Sequence, residues 1–128
     1  MIRLQAVISI AATTADSFYI AVPCRGIVKN VRYVYNQETD KDETCTLSRG
    51  SDAVNVVTPP SDGLAEGTMI EGTPDSTNAD LIFDPDSSTT THQVIKVAVP
   101  NTFDTAGQAS LSIDYDDSAA VTEDPSEA

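Results

Sequence analysis

The chain has no tryptophan, one histidine, two cysteines and only seven basic residues among its 128. Each shortage excludes something. Aromatics make up only 5%, so the core must be built from Val, Ile, Leu and Ala and will be thin. A thin core on a β-rich chain of this size often borrows stability from neighbouring subunits. The single histidine, His92, has no nucleophile or orienting group near it in sequence, both of which a catalytic base requires. It reads as a strand-edge histidine facing water. Seven Lys and Arg stand against 20 Asp and Glu, a formal charge of -13. That balance repels phosphate backbones and anionic lipid, so direct nucleic-acid binding and binding to an anionic membrane surface are disfavoured. Basic patches, cations and neutral surfaces remain as partners, and the charge also serves plain solubility. No apolar run approaches the roughly 20 residues that span a bilayer. Residues 1–12 have the outline of a weak secretory signal, but Gln5 and Ser9 interrupt the apolar stretch and it reads as a first strand.

Cys24 and Cys45 do not make a disulfide framework. If residues 27–35 and 43–49 form a simple hairpin, Cys45 lies opposite the region of Val34 and Cys24 well away along the ladder. Two buried free thiols follow, acting as small apolar residues, and reduced thiols fit assembly in a cytosol. Only a different topology would bring the pair within bonding distance.

What the chain does have is alternation. Ala109, Leu111, Ile113 and Tyr115 are separated by Ser110, Ser112 and Asp114, the period-two pattern of a half-buried strand. Leu4, Ala6, Ile8 and Ile10 repeat it, and residues 17–22 do so more briefly. Residues 26–36 carry apolar residues on both faces, with Lys29 interrupting one of them, which predicts a central strand. Further strands are expected at 43–49, 53–57, 80–83 and 91–99, with a short strand or turn of helix at 68–71. Pro23, the Pro59–Pro60 pair and Pro100 close segments, since proline cannot donate to a ladder, and Gly26 permits a sharp entry into its strand. Close-set short strands between turn residues predict an all-β, antiparallel β-sandwich or jelly roll. The domain spans 1–115. Residues 116–128 form a C-terminal tail with five acidic and no basic residues, whose composition predicts disorder.

Candidate chemistry is sparse. Asp40, Asp42 and Glu43 form one acidic cluster, Asp84 and Asp86 a second, and Asp114, Asp116 and Asp117 a third. Calcium takes several oxygens from such loops, but the twelve-residue calcium loop is absent, and solvated turns fit better. Paired carboxylates also serve glycoside hydrolysis, yet the aromatic platforms for a sugar are missing. Cys45 with His92 is an unconstrained pairing, and there is no phosphate-cradling glycine loop or nucleophile elbow. The reading is a non-enzyme with no catalytic residue, no metal and no cofactor. The arginines Arg3, Arg25, Arg32 and Arg49 read either as ordinary surface charge or as anchors for carboxylates on a neighbour.

The run Pro23-Cys24-Arg25-Gly26-Ile27-Val28-Lys29-Asn30-Val31, the strand Thr44-Cys45-Thr46-Leu47-Ser48 and the closing Ala106-Gly107-Gln108-Ala109-Ser110-Leu111-Ser112-Ile113 occur in that order. Over roughly residues 17–115 this resembles the small capsid decoration (head cement) proteins of tailed bacteriophages. The two cysteines, the acidic tail and the Pro/Gly-rich stretch at 59–74 depart from it. The resemblance implies a sandwich or jelly roll, often a homotrimer, assembled in the host cytoplasm. It would dock on the outer surface of the virion, bound to the major capsid protein, and clamp neighbouring capsomers after the shell expands. On that reading Met1, Ile2, Arg3, Leu4, Arg25, Arg32, Tyr33, Tyr35 and Phe83 are the interface residues, with Met1 to Gln5 as a contacting arm. Two alternatives stand beside it: a secreted or surface module using acidic loops for calcium or carbohydrate, and a tail or fibre component of the virion.

Overall fold

The computed structural model describes residues 1–38, 44–57, 63 and 65–118. Residues 39–42 of the charged turn expected over 36–42, the Pro59–Pro60 stop and the tail beyond Ser118 lie outside them. Nine strands are described: β1 (Ile2–Ile10), β2 (Asp16–Ala21), β3 (Ile27–Tyr35), β4 (Cys45–Arg49), β5 (Asp52–Val57), β6 (Met69–Glu71), β7 (Thr73–Pro74), β8 (Val94–Val99) and β9 (Gly107–Asp116). They form two antiparallel sheets, ordered β1-β9-β3-β6 and β2-β8-β4-β5-β7. The two sheets share one apolar core, so the chain is an all-β sandwich.

Alternation dictates which side chains enter that core. Ala109, Leu111, Ile113 and Tyr115 of β9 are buried, and Ser110, Ser112 and Asp114 face outward. β1 keeps the same phase, with Ile8 and Ile10 buried and Arg3, Gln5, Val7 and Ser9 exposed. β3 lies inside its sheet, between β9 and β6, as its two-sided apolar character predicts. Its register slips between Val28 and Asn30. That bulge sets Lys29 outside the ladder and exposed, and Val28 takes the inward place beside Val31, Tyr33 and Tyr35.

Several expectations are corrected. β3 and β4 are not a hairpin, because they belong to opposite sheets. Their apolar faces meet across the sandwich instead: the Tyr35 hydroxyl donates to Cys45 Sγ at 3.3 Å. Both cysteines are free thiols, but only Cys45 is buried, and Cys24 is half-exposed. Residues 80–83 form no strand; Phe83 makes one isolated bridge with Gly26. β8 begins at Val94, after a 3-10 turn at Thr90–His92 that was not foreseen. His92 is buried in that turn rather than facing water. Its carbonyl accepts from the Asp84 N–H at 2.9 Å, which ties the turn to the loop before it.

Candidate functional site

Tyr33, Tyr35 and Phe83, expected at subunit contacts, are wholly enclosed in the core, at 0%, 1% and 0% exposure. Tyr33 and Tyr35 stack with ring centroids 6.0 Å apart, and Phe103 packs on Tyr35. No partner surface can touch these rings without opening the sandwich. Burial, with Cys45 close by, pushes the Tyr33 phenol well above its ordinary value, so it stays neutral.

Arg25 stands at one end of the sandwich. Its Nε donates to Asp84 Oδ2 at 3.0 Å, and the other Asp84 oxygen accepts the Asp86 N–H at 2.9 Å. The Asp86 backbone hydrogen bond is the main influence lowering the Asp84 carboxyl; burial opposes it and Arg25 assists. The neighbouring Tyr115 hydroxyl donates to the Cys24 carbonyl at 2.6 Å, with the Phe83 carbonyl at 3.3 Å. Arg49, expected as surface charge or as an anchor, is instead buried, and its Nη1 donates to the Ile82 carbonyl at 2.9 Å. These groups fasten the 81–93 loop to the strands.

Arg3 and Arg32 meet on the outer face of the first sheet. Strand register places Arg3 directly opposite Asp114 and Arg32 directly opposite Glu71. Arg32 is also diagonal to Asp114, within reach of a long side chain. The result is a chain of ion pairs across four strands: Arg3 Nε to Asp114 Oδ1 at 3.4 Å, Arg32 Nη1 to Asp114 Oδ2 at 3.0 Å, and Arg32 Nε to Glu71 Oε1 at 3.2 Å. Burial would raise the Asp114 carboxyl, but Arg32 and then Arg3 outweigh it and hold the group below its usual value. Three of the four arginines named as possible anchors, Arg3, Arg25 and Arg32, thus find carboxylates within their own chain.

Beside this ladder lies a groove of about 560 Å³, lined among others by Arg3, Val7, Arg32, Val34, Met69 and Ser112. Val7 and Met69 remain 64% and 56% exposed. Ser110 and Ser112, short outward residues of β9, line the groove between the longer side chains of β1 and β3. A second depression of about 310 Å³ lies on the other sheet, between Tyr19, Gly50, Thr91 and Lys96. Ile2 and Leu4 face the core, half-buried, while Met1 is 74% exposed and its ammonium pairs with Asp117 at 3.0 Å. Sequence reasoning found Arg3 and Arg32 but missed Asp114, Glu71, Val7 and Met69 as their neighbours. The outward phase of each strand was readable; which strands lie side by side was not.

The third acidic cluster is accounted for by protein donors: Asp114 by the arginines, Asp116 by the Ser118 N–H at 3.0 Å, and Asp117 by the N-terminus. Among the described residues no group of three or more His, Cys, Asp or Glu converges as a metal site would. The first acidic cluster, Asp40, Asp42 and Glu43, lies outside them. No helix among the described residues is long and apolar enough to cross a membrane. No protein-family model matches the chain, and no curated protein matches it.

Proposed function

We propose that the chain is a structural virion protein that binds the outside of an expanded phage capsid, through the major capsid protein, and clamps neighbouring capsomers. The observation that carries this reading is the outer face of the first sheet. There, Val7 and Met69 stand exposed beside a set of charges that already neutralise one another. Such a surface suits adhesion: it offers apolar area with little charge left to desolvate. On this reading the protein is not an enzyme and requires no cofactor, nucleic acid or membrane.

The jelly-roll expectation draws support from the order of pairing. Leaving aside the two-residue β7, the first strand pairs with the last, the second with the next to last, β3 with β6, and β4 with β5. That is a long antiparallel ribbon, turned at Gly50 and Ser51 and rolled into two layers. A rolled ribbon presents two broad outer faces, a shape suited to lying on a shell. A protein that binds only the expanded lattice stabilises that state by linkage, and many copies act together.

The test is co-sedimentation of the purified chain with expanded heads and with unexpanded proheads. Binding to expanded heads alone is the expected result, and absence from both would end the proposal. The calcium or carbohydrate module loses support from the protein donors on Asp84 and Asp114 and from the aromatic count, since Tyr19 is the one well-exposed ring. A calcium-dependent rise in melting temperature would restore it. A tail or fibre location is separated from a head location by imaging labelled particles. The homotrimer rests on the resemblance alone.

A further inference from the structure

Sheet edges carry backbone donors and acceptors that the fold itself does not pair. Among the described residues the sheets end on β1, β6, β2 and β7. β6 has three residues, β7 has two and ends on Pro74, and β2 begins with Asp16. All three are short, carry an acid or contain proline, the usual ways an edge is blunted. β1 is different. Its nine residues pair with β9 in unbroken register, without bulge or proline, and Arg3 is its one charge.

The direction of its free groups follows from the ladder. The Val31 and Tyr35 carbonyls accept from Gly72 and Gly67, both at 2.8 Å, on the β6 side of β3. Antiparallel strands alternate, so Arg32 and Val34 turn to β9, where Ser112 and Ser110 meet them. Leu111 and Ile113 therefore turn the other way, toward Ala6 and Leu4 of β1. The intervening Arg3, Gln5, Val7 and Ser9 aim their N–H and C=O groups out of the sheet.

Two independent observations point to a covering partner of particular character. Apolar residues behind this edge are left half-open: Ile2, Leu4 and Ala6 on β1, and Phe18 and Ile20 on β2 across the sandwich. None of the 20 acidic residues precedes Asp16, so β1 alone among the edge strands of three or more residues lacks a carboxylate. In a chain of charge -13 this is the edge where two copies repel least.

We propose that a second copy of this chain pairs along β1, antiparallel about Ala6, joining two four-stranded sheets into one. Arg3 then lies opposite Ser9 of the partner subunit, and Gln5 opposite Val7 of the partner subunit. On the inner face Leu4 meets Ile8 of the partner subunit. All nine residues find a partner, the inward and outward phases are kept, and no like charges face each other. The contact is two-fold and takes the place of the three-fold assembly implied by the resemblance; it does not depend on capsid binding.

Sedimentation equilibrium of the full chain tests it. The expected species is a dimer. Gln5→Pro and Val7→Pro each remove one outward N–H while leaving the bonds to β9 intact. Each should weaken the dimer at least tenfold and keep the β-sheet circular dichroism spectrum. Ala6→Pro removes a bond to β9 and should damage the fold itself. Should the proline variants fold poorly, amide exchange on the unmodified chain gives the same answer: Gln5 and Val7 amides are protected in proportion to dimer. A monomer at every concentration overturns the inference, as does rapid exchange at Gln5 and Val7. A trimer or other oligomer unaffected by either proline also overturns it, leaving the capsid proposal to its own co-sedimentation test.

Discussion

Gly26 lies where a backbone and an aromatic ring both come close. A methyl group there would fall 2.5 Å from the Asp116 carbonyl and 2.6 Å from the Tyr115 ring. The residue also exchanges two backbone hydrogen bonds with Phe83, at 2.9 and 2.8 Å. The sequence reading gave Gly26 to a sharp turn, but its φ is not positive, so close approach is the reason for glycine. Gly26→Ala should lower stability by about 1–3 kcal/mol, measured by urea unfolding; an unchanged midpoint would show that the strand ends can shift apart. Tyr115→Phe removes the hydroxyl that serves the Cys24 carbonyl and should cost about 1 kcal/mol. The same residue scale explains why Tyr33, Tyr35 and Phe83 were misplaced. With no tryptophan and few rings, the chain uses its largest side chains to fill the core, and an aromatic count cannot distinguish filler from contact residue.

Strands are where charge and register act together. Asp84 and Asp114 are both held below their ordinary value. A native carboxyl with a lowered pKa binds fewer protons than its unfolded counterpart. Its contribution is therefore complete above the unfolded pKa, near 3.8, and is lost as the pH falls through the lower native value. Asp84→Asn should flatten the loss of stability below about pH 4, read from urea melts at stepped pH; an unchanged slope would place the acid sensitivity elsewhere. The β3 bulge makes a second prediction. Lys29→Val should change stability by less than about 0.5 kcal/mol, whereas Val28→Lys buries an ammonium and should cost more than about 3 kcal/mol. Equal effects would mean that Lys29 is not outside the ladder. At this scale most strands were legible, because period two is visible in β1 and β9. The β3–β4 relation was not, since a hairpin and a crossover between sheets share the same local pattern.

The molecule as a whole carries a charge of -13 around a core drawn from both sheets. Self-repulsion acts over distances that salt shortens, from about 30 Å at 0.01 M to about 8 Å at 0.15 M. Raising the salt over that range should raise the thermal midpoint by a few degrees, followed by circular dichroism. A falling midpoint would mean that ladders such as Arg3–Asp114–Arg32–Glu71 outweigh the net repulsion. The same balance bears on adhesion. On the proposed capsid-binding function, an acidic particle held through an internally neutralised, partly apolar face should keep its grip on expanded heads as salt rises, whereas a contact built on net charge would release.

The amino-acid order alone determined the β class, the phase of most strands and the strong acidity, because side-chain alternation and composition are local properties. It also fixed the absence of tryptophan and the single histidine, since residue types that are missing cannot be supplied by folding. Only the tertiary structure decided that Tyr33 and Tyr35 face Cys45 across a sandwich and that Arg3 and Arg32 converge on Asp114. It also decided that β1 is an edge. Those facts depend on which strands become neighbours, and neighbours distant in sequence are chosen by the packing of two whole sheets, not by any segment within them.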